Sequence, residues 1–120
     1  VAAAGRSVSG QAGFETALTF DAMLTSHQLQ VMRVFLEKKP IARAYLFGSQ
    51  ARQDADADSD VDVLVDLENG VTLFEFARMQ SELEELLARK VDLVSSQGLN
   101  PRLQPYIDRD KRLIYEKAPR

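Results

Sequence analysis

Apolar and polar positions along the chain change their period several times, and each change marks an element. Leu29, Met32 and Leu36 recur at the three- and four-residue intervals of one helix face. Thr25 stands ahead of them with Gln28 three residues on, the order of a capping box, so the spacing predicts a helix running to Lys38 that Pro40 ends. Shorter apolar runs follow. Residues 42–47 read as a strand that delivers Gly48-Ser49, residues 50–53 as one helical turn, and residues 54–59 as a polar loop. Residues 61–67 read as a second strand closed by Glu68-Asn69-Gly70. The longest helical pattern spans residues 72–89, with Phe76, Met79, Leu83 and either Leu86 or Leu87 on its apolar stripe. Residues 90–94 read as a short strand, residues 101–108 as a brief helix and residues 113–115 as a last extended piece. Tyr45, Phe47, Phe74 and Phe76 read as core. The order predicts an α/β (α+β) domain, a small mixed sheet flanked by helices.

Composition narrows the class. A chain of 120 residues with 45% apolar content suits one domain with a modest core. That domain is assigned to residues 23–117. Residues 1–22, rich in Ala, Gly and Ser, read as a flexible lead-in; the opening Val1 and the Met at position 23 suggest that this leader is not native. No cysteine is present, which excludes disulfides and thiolate zinc sites and points to the reducing cytoplasm. No apolar run approaches the ~20 residues that span a membrane, and residues 1–7 lack the apolar core of a signal peptide. The net charge of −3 divides into −7 over residues 1–87 and +4 over residues 88–120. A positive end of that size suits a triphosphate, an acidic partner or plain solvent, and is too thin for a nucleic-acid tract.

The candidate chemistry lies in residues 48–62. Asp60 and Asp62 bracket the start of the second strand and project from the same side, roughly 6.5 Å apart along it. Two carboxylates on one face of a buried strand are costly unless a positive group lies between them. Beside a Gly-Ser turn suited to phosphate, that group is expected to be magnesium with a nucleoside triphosphate. Asp92, flanked by Val91 and Leu93-Val94, is the natural third carboxylate; its plainer reading is a structural partner of Arg or Lys. Gly48, Ser49 and neighbouring amides suit the β- and γ-phosphates. Arg52, one turn after Ser49, suits either a phosphate or a surface ion pair. Lys90 suits a phosphate or a solvated strand end, and Tyr106 and Tyr115 are candidates for touching a base or a partner. Asp54, Asp56 and Asp58 imitate the first ligands of a calcium loop, but Ser59 and Val65 replace its Gly and Glu, so a solvated acidic loop is expected. His27 has no second histidine with which to hold zinc.

Gly48-Ser49, ten residues, Asp60-x-Asp62, and Asp92 on a downstream strand together resemble the signature of the DNA polymerase β-like nucleotidyltransferases. Residues 43–52 and 90–94 resemble its minimal (MNT, MntA-type) branch, over about residues 24–117. The resemblance implies the polymerase β-like fold and a two-magnesium site. In it Asp60 and Asp62 bind both ions, Asp92 binds the catalytic one and helps deprotonate or orient the acceptor hydroxyl, and Gly48 and Ser49 grip the triphosphate. It further implies an antitoxin that transfers AMP from ATP to a hydroxyl, of Tyr above all, on a HEPN-domain ribonuclease toxin, within a hetero-oligomer. Gln53 departs from the Gly that relatives often carry after the Arg. Two other classes stay open: an antitoxin that acts by binding alone, and the catalytic subunit of a small-molecule-modifying enzyme. Template-directed polymerisation is disfavoured, because no strongly basic groove is encoded.

Overall fold

The computed structural model describes residues 23–56 and 58–118; the expected lead-in, residues 1–22, lies outside them. Helix α1 spans Ser26–Glu37. The Thr25 hydroxyl accepts from the Gln28 amide at 3.0 Å, and the Gln28 side chain accepts from the Thr25 amide at 2.9 Å, so two otherwise orphaned donors are satisfied reciprocally. Strand β1 (Ile41–Phe47) leads directly into the short helix α2 (Gly48–Arg52), which begins two residues earlier than the sequence pattern placed it. Strand β2 (Val61–Leu67) matches its expected bounds. Helix α3 (Leu73–Leu87) repeats the capping device with Thr72 and Glu75. Strand β3 (Val91–Ser95), helix α4 (Gln104–Asp110) and strand β4 (Arg112–Glu116) complete the described order.

The strands form one sheet in the order β3-β2-β1-β4. β1 is antiparallel to β2 and β4, whereas β2 and β3 run parallel and are joined through α3. That crossover is what a parallel pair requires, and it makes the sheet mixed as expected.

Strand alternation sorts the two faces. Val61, Val63 and Val65 are fully buried and join Ala44 and Leu46 of β1 in the main core. Met32 and Leu36 of α1 and Met79, Leu83 and Leu87 of α3 close over them. Full burial of each such side chain contributes roughly 1.5–3 kcal/mol. Asp62, Leu64 and Asp66 point to the opposite face, where register places Phe47, Tyr45 and Arg43 beside them. One face of the sheet therefore holds the core and the other carries the carboxylates.

Three sequence expectations are adjusted. The α3 pattern stops at Leu87 because Ala88 adopts a left-handed conformation (φ 53°), and Leu87, not Leu86, is the buried stripe residue. Phe74 is not core: it is 71% exposed, on the first turn of α3, with the Arg78 guanidinium 5.0 Å from its ring centre. Helix α4 starts at Gln104 because Asn100 organises residues 100–103 as a turn, accepting Arg102 N at 2.9 Å on its side chain and Leu103 N at 2.9 Å on its carbonyl.

Candidate active site

The site is built at the end of the sheet where β1 turns into α2 and β2 begins. Gly48 has φ 67°, a conformation that costs a residue with a Cβ about 1–2 kcal/mol. It is also crowded. A Cβ at this position would overlap Asp62 Oδ2 and lie 3.3 Å from Asp62 Cγ. The glycine that admits the turn thus also admits the carboxylate. The turn has no side-chain cap at Phe47. The Ser49 carbonyl accepts from Gln53 and, at 3.0 Å, from Asp54, which closes α2, while the Ser49 hydroxyl makes no hydrogen bond among the described residues. Gln50, buried on the same turn, accepts the Leu24 amide at 3.0 Å on Oε1 and ties the turn to the entry of α1.

The Asp60-x-Asp62 pair is fixed from both sides. The Ser59 carbonyl accepts from Arg89 at 3.4 Å, and the Val61 amide donates to the Lys90 carbonyl at 3.0 Å. Those contacts bind the start of β2 to the start of β3, and the parallel register sets Asp62 directly beside Asp92. On the outer edge of β3, Val91 and Leu93 donate their amides to the Glu84 and Gln80 side chains of α3 at 3.0 and 3.1 Å. This edge strand is thereby covered rather than open to another chain, and Asp92 sits between two anchored residues.

Electrostatics agree with the geometry. Burial, then the repulsion of Asp92 and of Asp60, push the Asp62 carboxyl up from 3.8 to about 6, against an opposing pull from Arg52. No hydrogen bond or ion pair among the described residues engages the side chains of Asp60, Asp62 or Asp92. The donor chemistry fits a hard divalent cation: three carboxylates, one of them raised by burial and by its like-charged neighbours, a repulsion that a cation would relieve. The three do not converge into a closed ligand set among the described residues, and Asp92 is exposed. Coordination of magnesium here would draw on phosphate oxygens and water as well, as is usual for that ion.

Arg52 makes ion pairs at the surface. Its Nε donates to Asp54 and its Nη1 to Asp110, both at 3.1 Å. Sequence reading missed Asp110, and no local signal marks it, since the pair is 58 residues apart. Asp56 is used internally: its carboxylate accepts Asp58 N at 2.9 Å and Ser59 Oγ at 3.1 Å. Tyr106 is exposed beneath Arg109, 5.4 Å from its ring centre, whereas Tyr115 packs against the main core. No helix among the described residues is long and apolar enough to cross a membrane.

A carboxylate-bearing mixed sheet with a Gly-Ser turn abutting its Asp-x-Asp strand is the architecture of a nucleotidyltransferase, and residues 30–120 match the family described as Polymerase beta, Nucleotidyltransferase. The chain belongs to that family. It is 37% identical over 79 residues to the protein adenylyltransferase MntA of Thermococcus cleftensis, covering 66% of this chain and 76% of the relative. A solved structure provisionally assigned as a minimal nucleotidyltransferase is 39% identical and superposes with a TM-score of 0.62, covering 72% of this chain and 88% of the other. The same fold recurs at 17% identity (TM-score 0.62, 78% and 74% covered) in the structure of a tri-AMPylated Shewanella oneidensis HEPN toxin in complex with MNT antitoxin.

Proposed function

We propose that this nucleotidyltransferase is a magnesium-dependent protein adenylyltransferase that acts as an antitoxin. It transfers AMP from ATP to a hydroxyl, that of a tyrosine, on a HEPN ribonuclease toxin with which it assembles in the cytoplasm. The observation that carries the reading is the adjacency of three elements: Gly48 against the Asp62 carboxylate, Asp62 beside Asp92 in register, and Asp60 just ahead of the same strand. Relatives support the adenylyl donor and the toxin partner, one being named a protein adenylyltransferase and another being a complex of an AMPylated HEPN toxin with MNT antitoxin, while tyrosine as acceptor rests on the family resemblance alone.

In this reading Asp60, Asp62 and Asp92 would hold magnesium, which supplies charge stabilisation at the attacking and leaving oxygens. Gly48 lets the backbone approach the triphosphate, and the Ser49 hydroxyl donates to its leaving-group phosphates. The acceptor oxygen forms a bond to the α-phosphorus as the bond to the β-phosphate bridge breaks, and pyrophosphate departs. The acceptor proton passes to the Asp92 carboxylate, whose exposure leaves it open to an incoming protein. Arg52 acts on the phosphates from the end of α2.

Titration of ATP with and without magnesium tests the reading. The wild-type chain is expected to bind ATP well only with the metal, and Asp60→Asn with Asp62→Asn to abolish transfer while the fold persists. Equal turnover by the double variant would remove the account.

A further inference from the structure

The Arg52 guanidinium is held from two directions, and the two acids that hold it are unlike. Asp54 belongs to a loop and is largely in water, whereas Asp110, the last residue of α4, keeps only 11% of its side chain exposed. Asp110 takes Arg52 on Oδ2 at 3.1 Å and Arg109 on Oδ1 at 3.3 Å, so each oxygen carries a cation. Helix α4 is itself anchored by the buried Ile107. Asp110 therefore joins an anchored helix to the last residue of the Gly48-Ser49 turn. A guanidinium presents five N–H donors in one plane. With Nε on Asp54 and Nη1 on Asp110 that plane is set, and its remaining donors are pre-oriented rather than free to swing. Arg52 closes the same five-residue helix that Gly48 and Ser49 open, which places its side chain beside the turn.

We infer that Asp110 is a positioning residue for nucleotide binding, holding the Arg52 guanidinium fixed for the triphosphate that Gly48 and Ser49 receive; the inference rests on the nucleotidyl-transfer reading above. Asp110 touches no substrate in this account and acts only through Arg52. Its loss should matter when Arg52 is present and not otherwise. A residue that merely pinned α4 to α2 through Arg52 would lower the melting temperature when lost and leave the affinity for the triphosphate unchanged.

Calorimetric titration of the full chain with the magnesium complex of AMP-PNP separates these cases. Asp110→Asn is expected to weaken binding about tenfold, the scale of one charge-assisted hydrogen-bond partner, and Asp110→Glu to restore most of it. In an Arg52→Ala background, Asp110→Asn is expected to weaken binding no further, even where it lowers the melting temperature. Should Asp110→Asn not fold, Asp110→Ser supplies the same test at the same position, again read with and without Arg52. Wild-type affinity in Asp110→Asn or Asp110→Ser, or an equal loss with and without Arg52, would overturn the inference. Failure of the wild-type chain to bind magnesium AMP-PNP at all would instead reject the nucleotide reading itself.

Discussion

Gly48 and Asp62 occupy one another's space: the Asp62 carboxylate fills the volume a Cβ at position 48 would need. The turn and the strand that carries Asp62 therefore constrain each other, and a change at either is felt at both. Gly48→Ala adds a left-handed backbone cost to a steric one, and a loss of about 2–4 kcal/mol is expected on urea denaturation. In an Asp62→Ala background the overlap is gone and only the backbone cost of about 1–2 kcal/mol should remain. An unchanged cost between the two backgrounds would show that the crowding carries no energy.

The raised Asp62 carboxyl has a definite consequence for stability against pH. Its folded value is about 6 against an ordinary 3.8, so between those values the folded chain holds the proton and the unfolded chain does not. Stability contributed by this group is thus present at the acid end and declines as pH rises toward 6. Asp66, Glu75, Asp108 and Asp110 are shifted down and work in the opposite sense, so the comparison is with Asp62→Asn. Melting of metal-free protein from pH 4 to 7 should show the variant gaining on the wild type as pH rises. The slope should be well under the ~1.4 kcal/mol per unit of an unscreened group, because Asp62 is only half-buried. A difference that shrinks with rising pH would contradict the assignment.

Gln53 closes α2 in the left-handed region at φ 66°, the conformation that glycine adopts without a steric cost. A glycine at this position would adopt that conformation without strain. Gln53→Gly is expected to raise stability by about 0.5–1 kcal/mol, the relieved strain being partly offset by greater freedom of the unfolded chain. A lower denaturation midpoint would indicate that the Gln53 side chain contributes contacts worth more than the strain.

Local chemistry was legible in the chain wherever it acts over a few residues. The Thr25-Gln28 and Thr72 starts and the alternating Val61, Val63 and Val65 survive in the structure, because caps and pleats are decided by near neighbours. What was not legible depends on partners distant in sequence. The Asp62–Asp92 register, the covering of β3 by Gln80 and Glu84, and the Arg52–Asp110 pair require the folded sheet. Leu86 and Leu87 could not be told apart from spacing, since both lie near the stripe and only packing on the sheet selects Leu87. Phe74 misled because its hydrophobicity says nothing of which side of the first turn of α3 it occupies.

The most direct test of nucleotidyl transfer at the Asp60, Asp62 and Asp92 site is the intact mass of the cognate HEPN toxin after incubation with the chain, ATP and magnesium. The wild-type protein should add whole AMP units to the toxin. Asp92→Asn should bind the toxin, leave its mass unchanged and fail to rescue growth, because transition-state stabilisation is what the site contributes beyond binding. Rescue by Asp92→Asn with an unshifted toxin mass would contradict the account and leave binding alone as the means of neutralisation.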